Sequence, residues 1–448
     1  LKIYSMHKDL NNHPSRRTFV KDTSLIAGGI MAMPMLSKAN FFSGADDVIK
    51  VAVIGCGGRG TGAAMQAISS KQNVKIVAMA DAFKDNVDNC HKALTREINE
   101  GGGDISKKLD VPEERRFTGF DAYQKAIALA DVVILATPPG FRPIHFEEAI
   151  KQGKHVFMEK PVATDPAGVQ KVLAIAAIAK QKKLNVVVGL QRHYQNSYRE
   201  LFKRKDMIGE ITSAQAWWNN DGVWTRPRKA GQTEMEYQMR NWYYFNWLCG
   251  DHINEQHIHN LDVINWFKEG YPVKAQGFGG RQVRNSKEHG EIFDHHFVEY
   301  HYADGSILNS QCRHIPGTMS KVDELLVGTK GKIHCGQAKI VDHGGKVLFQ
   351  FAKKGEPDPY QNEHDELFAA IAKGEYKYAD AENGAKSTMT SIMGRMATYS
   401  GQMIEWDKAI NSGIDIHPKV YDFNAAPPVL PNADGFYPIA VPGVTKYL

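Results

Sequence analysis

Three glycines, one aspartate and one lysine carry the most specific chemistry in this chain. Gly55-Cys56-Gly57-Gly58-Arg59-Gly60 has the G-x-G-x-x-G spacing. It stands between an apolar run, Ile49 to Ile54, and an Ala/Met/Ile pattern from Gly60 to Ser69. In that strand–turn–helix context the first glycine makes a tight turn. The second lets a pyrophosphate approach the backbone, and the third lets helix and strand pack closely. The phosphates would meet a helix N-terminus, where free N–H groups and the helix dipole favour anions. Asp81 ends the next apolar run, 21 residues after Gly60. A carboxylate there accepts both ribose hydroxyls of NAD and repels the 2′-phosphate of NADP. A dinucleotide site is therefore expected, for NAD before NADP. Lys160 lies just past another apolar run, His155 to Met158, in Glu159-Lys160-Pro161. Ligands of open α/β sheets bind beyond the carboxyl ends of strands. A lysine there can bond a cofactor ribose and a substrate hydroxyl. The plainer alternative is a lysine on a surface loop.

Two further segments stand out. Asp251-His252-Ile253-Asn254-Glu255-Gln256-His257-Ile258-His259 holds three histidines and two acids, which are common zinc ligands. But His252 and His259 are seven positions apart, His257 points to another face, and hydride chemistry needs no metal. No metal site is expected. The second segment is aromatic. Trp217, Trp218, Trp224, Trp242, Trp247 and Trp266 are six of the seven tryptophans. Tyr237, Tyr243, Tyr244 and Phe245 lie among them, with Arg226, Arg228 and Arg240 interleaved. Aromatic faces stack on sugar C–H faces, and arginines bond hydroxyls, so a carbohydrate cleft fits. Core packing or a subunit interface fits equally well.

These residues need elements to position them. Apolar runs at 49–54, 74–80, 132–136, 155–158 and 186–188 alternate with helical patterns, which predicts a parallel sheet covered on both faces. Beyond about residue 190 the alternation has period two, as in His296-Phe297-Val298-Glu299-Tyr300-His301-Tyr302. That predicts antiparallel strands with one face covered. The fold class is α/β, with a nucleotide-binding domain over 48–190 and a second α/β domain over 191–406, including the aromatic-rich 217–250. The tail, 407–448, carries six prolines within 412–448 and little periodicity. It is expected to wrap the surface or a neighbouring subunit.

At 448 residues, two domains are the expectation. With 42% apolar and 23% charged residues and a net charge of +5, the composition is that of a globular protein. Lys and Arg are scattered, so no nucleic-acid partner is expected. Five cysteines, widely spaced, give neither a metal pattern nor a disulfide framework. Ser15-Arg16-Arg17-Thr18-Phe19-Val20-Lys21 has the form of a twin-arginine export signal. The apolar run Leu25 to Leu36 and Ser37-x-Ala39 complete its h-region and cleavage site, so 1–39 is excluded from fold reasoning. An exported, periplasmic protein is expected, with no membrane anchor after cleavage.

The glycine motif, Ala80-Asp81, Thr137-Pro138 and above all Glu159-Lys160-Pro161 resemble the Gfo/Idh/MocA family of glucose–fructose oxidoreductases and inositol dehydrogenases. Ile208-Gly209-Glu210-Ile211 and Gly328-Thr329-Lys330-Gly331 extend the resemblance over about 48–406. It implies a Rossmann domain followed by an α/β domain on an open, mostly antiparallel sheet. It implies NAD(P)-linked hydride transfer at a sugar or cyclitol carbon. The cofactor would be held by Gly55, Gly57, Gly58, Arg59, Gly60, Asp81, Thr137, Pro138, Glu159 and Lys160. Glu255-Gln256-His257-Ile258-His259-Asn260-Leu261-Asp262 matches the family's Asp-x-Gly-x-His-x-x-Asp helix, with Glu for Asp and His for Gly. His259 then matches the catalytic histidine. The i, i+4 spacing is expected to put Glu255 beside it on one helix face. Lys160, His259 and Glu255 are the expected catalytic set. Arg192, Trp224, Arg240, Trp242 and His257 are expected at the substrate.

Export and a dinucleotide together constrain the chemistry. Outside the cytoplasm there is no free NAD pool, so the cofactor is expected to be tightly bound and recycled. The enzyme would oxidise one sugar and reduce another. Or it would oxidise a glycoside, eliminate the glycosidic oxygen, and re-reduce the product. A non-catalytic sugar sensor of the same fold is disfavoured by Lys160 and His259. A homo-oligomer is expected.

Overall fold

The computed structural model describes residues 47–447. The arginine pair, the apolar run after it and the cleavage motif lie outside the described residues. Among those described, no helix is long and apolar enough to cross a membrane.

Six strands form a parallel sheet in the order β3-β2-β1-β4-β5-β6. They are β1 (Ile49–Ile54), β2 (Val74–Asp81), β3 (Arg116–Thr118), β4 (Val132–Leu135), β5 (His155–Met158) and β6 (Val186–Val188). The central strands are buried on both faces, so their sequences are continuous apolar runs rather than alternating ones. The sheet reverses its winding between β1 and β4, and the carboxyl ends of those strands open a crevice there.

Nine strands form the second sheet: β7 (Ile211–Asn220), β8 (Lys274–Gly280), β9 (His295–His301), β10 (Ile307–His314), β11 (Lys321–Gly328), β12 (Gly331–His334), β13 (Lys339–Asp342), β14 (Val347–Gln350) and β15 (Ile404–Glu405). Their order is β14-β13-β12-β11-β7-β10-β9-β8-β15. Only β7 and β10 run parallel; every other neighbouring pair is antiparallel. The period-two burial of β9 and β10 shows why they alternate in sequence: one face is covered and the other is not.

Helix Ala381–Ser400 packs against β8 and β9 on one side and helix Pro166–Gln181 on the other. Met389, Ile392, Met393 and Met396 are buried in it. Each is worth roughly 1.5–3 kcal/mol relative to exposure. The same apolar cluster reaches Ile54 and Leu135 in the first sheet and Val298 and Leu308 in the second. One core thus holds both sheets and fixes the crevice between them.

After a short helix, Trp406–Ile410, the tail has no regular element and lies along this chain's own surface. Asp165 caps helix Pro166–Gln181 at Gly168 N (2.7 Å). The same carboxylate accepts from Ile416 N (2.8 Å) and pairs with His417 (3.0 Å). Further on, the Tyr421 and Phe423 rings pack on Phe120 at 6.1 and 4.8 Å. All five cysteines are buried and unpaired in disulfides.

Candidate active site

The turn after β1 shows why glycines stand there. Gly55 has φ +94°, and a Cβ on it would lie 2.4 Å from Thr137 N. A Cβ on Gly60 would lie 1.8 Å from Gly55 O, so the helix could not approach the strand. Gly57 and Gly58 instead face open space, with no atom within 4 Å of a Cβ position. Helix Gly58–Ser69 begins above that space with no side-chain cap, leaving its first N–H groups to an anion. The cleft that opens here has a volume of about 820 Å³ and is lined by Gly57, Arg59, Asp81, Thr137 and Pro138 among others. Asp81 is fixed by three donors: Cys56 N (2.8 Å), Phe83 N (2.9 Å) and Asn86 Nδ2 (3.0 Å). Burial raises its pKa, and those hydrogen bonds oppose the rise. Its remaining lone pairs suit ribose hydroxyls. The uncapped helix, the open glycines and the held carboxylate together fit a dinucleotide.

Arg59 and Glu159, both expected at the cofactor, pair with each other at 2.5 Å, and Arg59 also reaches Glu363 at 3.3 Å. Lys160 follows Glu159 and carries a cis bond to Pro161. Its Nζ donates to the backbone oxygen of Glu255 and pairs with Glu255 Oε1 at 3.1 Å. The strand end of one sheet and the helix of the other domain are thereby joined at the crevice. Burial pushes the Glu255 carboxyl up, while Lys160 pulls it down.

His259 is buried, its ring stacked on Trp218 at 5.9 Å. Its Nδ1 has no hydrogen-bond partner among the described residues. Burial, and then the charges of Lys160, Arg192 and Arg59, hold the imidazole well below 6.5. It is neutral at neutral pH and free to take a proton.

The shared helix face expected for Glu255 and His259 is corrected by the structure. Helix His252–Glu255 ends at Glu255, and a new helix, Ile258–Lys268, carries His259. The turn between them is drawn toward β10 by His257, whose Nε2 meets Ser310 Oγ at 2.7 Å and whose Nδ1 meets Asn260 at 3.3 Å. His257 is therefore a fully buried brace rather than a group facing substrate. Lys160, not helical periodicity, relates Glu255 to His259.

Arg192 lies near His259 but is already engaged, pairing with the buried Glu324 at 2.6 Å. Trp224, Arg240 and Trp242 line the cleft at its Asp81 side, among the residues expected to hold cofactor. The Trp224 and Trp242 rings pack on Tyr243 at 6.4 and 5.4 Å.

Residues 49–190 match the family model described as the Gfo/Idh/MocA oxidoreductase family, NAD-binding Rossmann fold. Over those residues this chain is similar to the Gfo/Idh/MocA family. Inositol 2-dehydrogenase from Ralstonia nicotianae is 27% identical over 248 residues, covering 54% of this chain and 60% of that protein. Inositol 2-dehydrogenase from Cereibacter sphaeroides is 22% identical over 358 residues, covering 77% and 92%. The matched region spans 60% of the Ralstonia protein and 45% of a Gluconacetobacter diazotrophicus inositol 2-dehydrogenase. Among solved structures, scyllo-inositol dehydrogenase from Lactobacillus casei with bound NAD(H) and scyllo-inositol gives a TM-score of 0.60 at 19% identity, covering 81% of this chain and all of that one. Aldose-aldose oxidoreductase from Caulobacter crescentus, complexed with glycerol, gives 0.61 at 17%, covering 80% of this chain and all of that one. These likenesses establish the fold.

Two groups in this site carry no local sequence signal. Arg142 is fully buried and donates to the carbonyls of Leu135 (2.8 Å), Thr137 (2.7 Å) and Glu159 (2.9 Å). It ties together the ends of β4 and β5, and so holds Thr137 and Lys160 in register. Glu324 accepts from Tyr198 (2.9 Å) and Asn260 (2.7 Å) besides Arg192, bracing the His259 helix against β11. Asp251, at φ +72°, is enclosed by Phe293 N (3.0 Å), Tyr399 OH (2.5 Å), His252 (2.7 Å) and His296 (3.2 Å). Burial alone would raise this carboxyl, but the two histidines hold it well below the usual range. The histidine–acid segment therefore divides: Asp251 and His252 form a buried network, and only Glu255 and His259 belong with Lys160.

Proposed function

We propose that this protein is an NAD-linked oxidoreductase acting on a carbinol carbon of a sugar or cyclitol-like polyol. The observation that carries the proposal is the Lys160–Glu255 pair (3.1 Å) beside a neutral, unpartnered His259. NAD in the cleft would supply the hydride acceptor. Lys160 orients the substrate oxygen and stabilises negative charge on it. His259 takes the hydroxyl proton as the C–H hydride leaves, and Glu255 sets the position and charge of Lys160. The inositol dehydrogenases among the relatives support a polyol substrate, and Asp81 supports NAD over NADP. The experiment is to purify the protein without added cofactor, identify the released nucleotide, and screen sugars and inositols for reduction of NAD⁺. NAD should co-purify, and at least one polyol should reduce it. Tighter binding of NADP than NAD, or no reduction by any polyol in the panel, would sink the proposal.

Export through the twin-arginine route is part of the same proposal, and it is why the cofactor is held tightly and recycled. Changing Arg16→Lys and Arg17→Lys together should strand the precursor in the cytoplasm. Export of that double variant at the normal rate would remove the need for recycling.

A further inference from the structure

We propose that the segment 221–245 of the second domain is a clamp that locks the adenosine half of the dinucleotide into the first domain, with Arg240 and Asp85 as its latch. The inference rests on the NAD reading of the cleft and adds the device that retains the cofactor.

The cleft has two walls. Gly57, Asp81 and Phe83 come from the nucleotide-binding domain; Trp224, Arg226 and Trp242 come from the second domain. Since Asp81 marks the adenosine ribose, the second wall stands over that half. Its chemistry suits an adenine nucleotide, with aromatic faces for the base and a guanidinium for phosphate. Trp224 is 41% exposed although it is among the largest apolar side chains, which fits a ring held out for a ligand.

The wall is internally stiff. The Trp224 and Trp242 rings meet edge-on at 6.0 Å, and the Arg226 guanidinium lies 4.9 Å over Trp224. Asn241 Oδ1 accepts from Arg226 N at 2.8 Å. From outside, the tail braces it: Thr233 Oγ1 donates to Phe423 O at 2.5 Å, and the Phe423 ring packs on Phe83 at 5.4 Å.

One contact crosses from this wall to the other domain with strong geometry. Arg240 grips Asp85 with two bonds, Nη1 to Oδ2 (2.8 Å) and Nη2 to Oδ1 (2.9 Å). Its guanidinium also lies 3.6 Å over the Phe83 ring. Asp85 stands four positions past Asp81, in the first turn of helix Lys84–Glu100. A nucleotide seated between these walls cannot leave without parting them. Exposed ion pairs are weak in general, but bidentate arginine pairs with a stacked face are the stronger members of the class. The latch is therefore expected to slow release roughly tenfold.

The test is the release rate of NADH from the full chain, followed by its fluorescence during a chase with excess NAD⁺. Arg240→Ala and Asp85→Asn should each release NADH about tenfold faster than wild type. The exchanged pair Arg240→Asp with Asp85→Arg should recover part of the loss. High salt should speed release from wild type and leave Arg240→Ala nearly unchanged. Thermal unfolding of each variant separates latch loss from misfolding, and Trp242→Ala removes a wall residue without touching the pair. If wild type holds NADH and all three single variants release it at the wild-type rate, the clamp is overturned and the NAD reading stands. If wild type does not bind NADH, the NAD reading fails and takes the clamp with it.

Discussion

Lys160→Met should lower the rate of polyol-dependent reduction of bound NAD⁺ by about 10²–10³, the usual loss when one preorganised donor to a developing oxyanion is removed. NAD itself should stay bound, because Gly55 to Gly60 and Asp81 are untouched. Methionine keeps the length of the stem and removes only the ammonium. The change also strands Glu255, whose carboxyl burial pushes up and Lys160 draws back down. Without the cation it should protonate more readily, so the pair disappears as a pair. Stopped-flow absorbance of the reduced nicotinamide at saturating polyol measures the step directly. A variant that reduces NAD⁺ as fast as wild type would remove Lys160 from the chemistry.

His259→Ala should cost about 10²–10⁴ in the same step, the range for a lost general base. The pH profile distinguishes a base from a packing residue. Burial and the neighbouring cations favour the neutral imidazole, so its folded-state pKa lies well below 6.5. Wild-type activity should therefore persist as pH falls through 6.5 and decline only below it, as the base becomes protonated. In the alanine variant that acid limb should vanish along with most of the rate. A small rate loss with the limb intact would place the base elsewhere.

The parallel sheet was legible because central strands buried on both faces must be apolar throughout. Only β3 escaped: Arg116-Phe117-Thr118 is a three-residue edge strand, half-covered, with no run to detect. In the second domain the period-two pattern of β9 and β10 gave antiparallel pairing, but no local pattern encodes that β7 and β10 lie parallel across some 85 intervening residues. The cofactor turn was legible for a similar reason to the sheet. Its constraints at Gly55 and Gly60 are steric, and glycine alone meets them.

The site's partnerships were harder to see. Lys160 and Glu255 are 95 positions apart, and Arg192 and Glu324 are 132 apart. Helical spacing suggested a Glu255–His259 pair, yet the helix breaks between them, where His257 meets Ser310 of β10. The direction in which the tryptophans face was hidden for a related reason. Composition marked them as important, but the turn of chain carrying them crosses to the first domain, and sequence contains no sign of that direction.

The apolar cluster running through helix Ala381–Ser400 has a consequence for how this molecule unfolds. Met389 to Met396 serve both sheets at once, and a Cβ on Gly394 would meet Tyr300 OH at 2.0 Å, so the helix is seated closely against β9. The elements that sequence divides into two domains therefore share one apolar cluster. Loosening either sheet uncovers apolar surface of the cluster that the other also uses, so the stabilities of the two sheets are expected to be coupled. A nucleotide bound to the first sheet lends its binding free energy to the stability of the second as well.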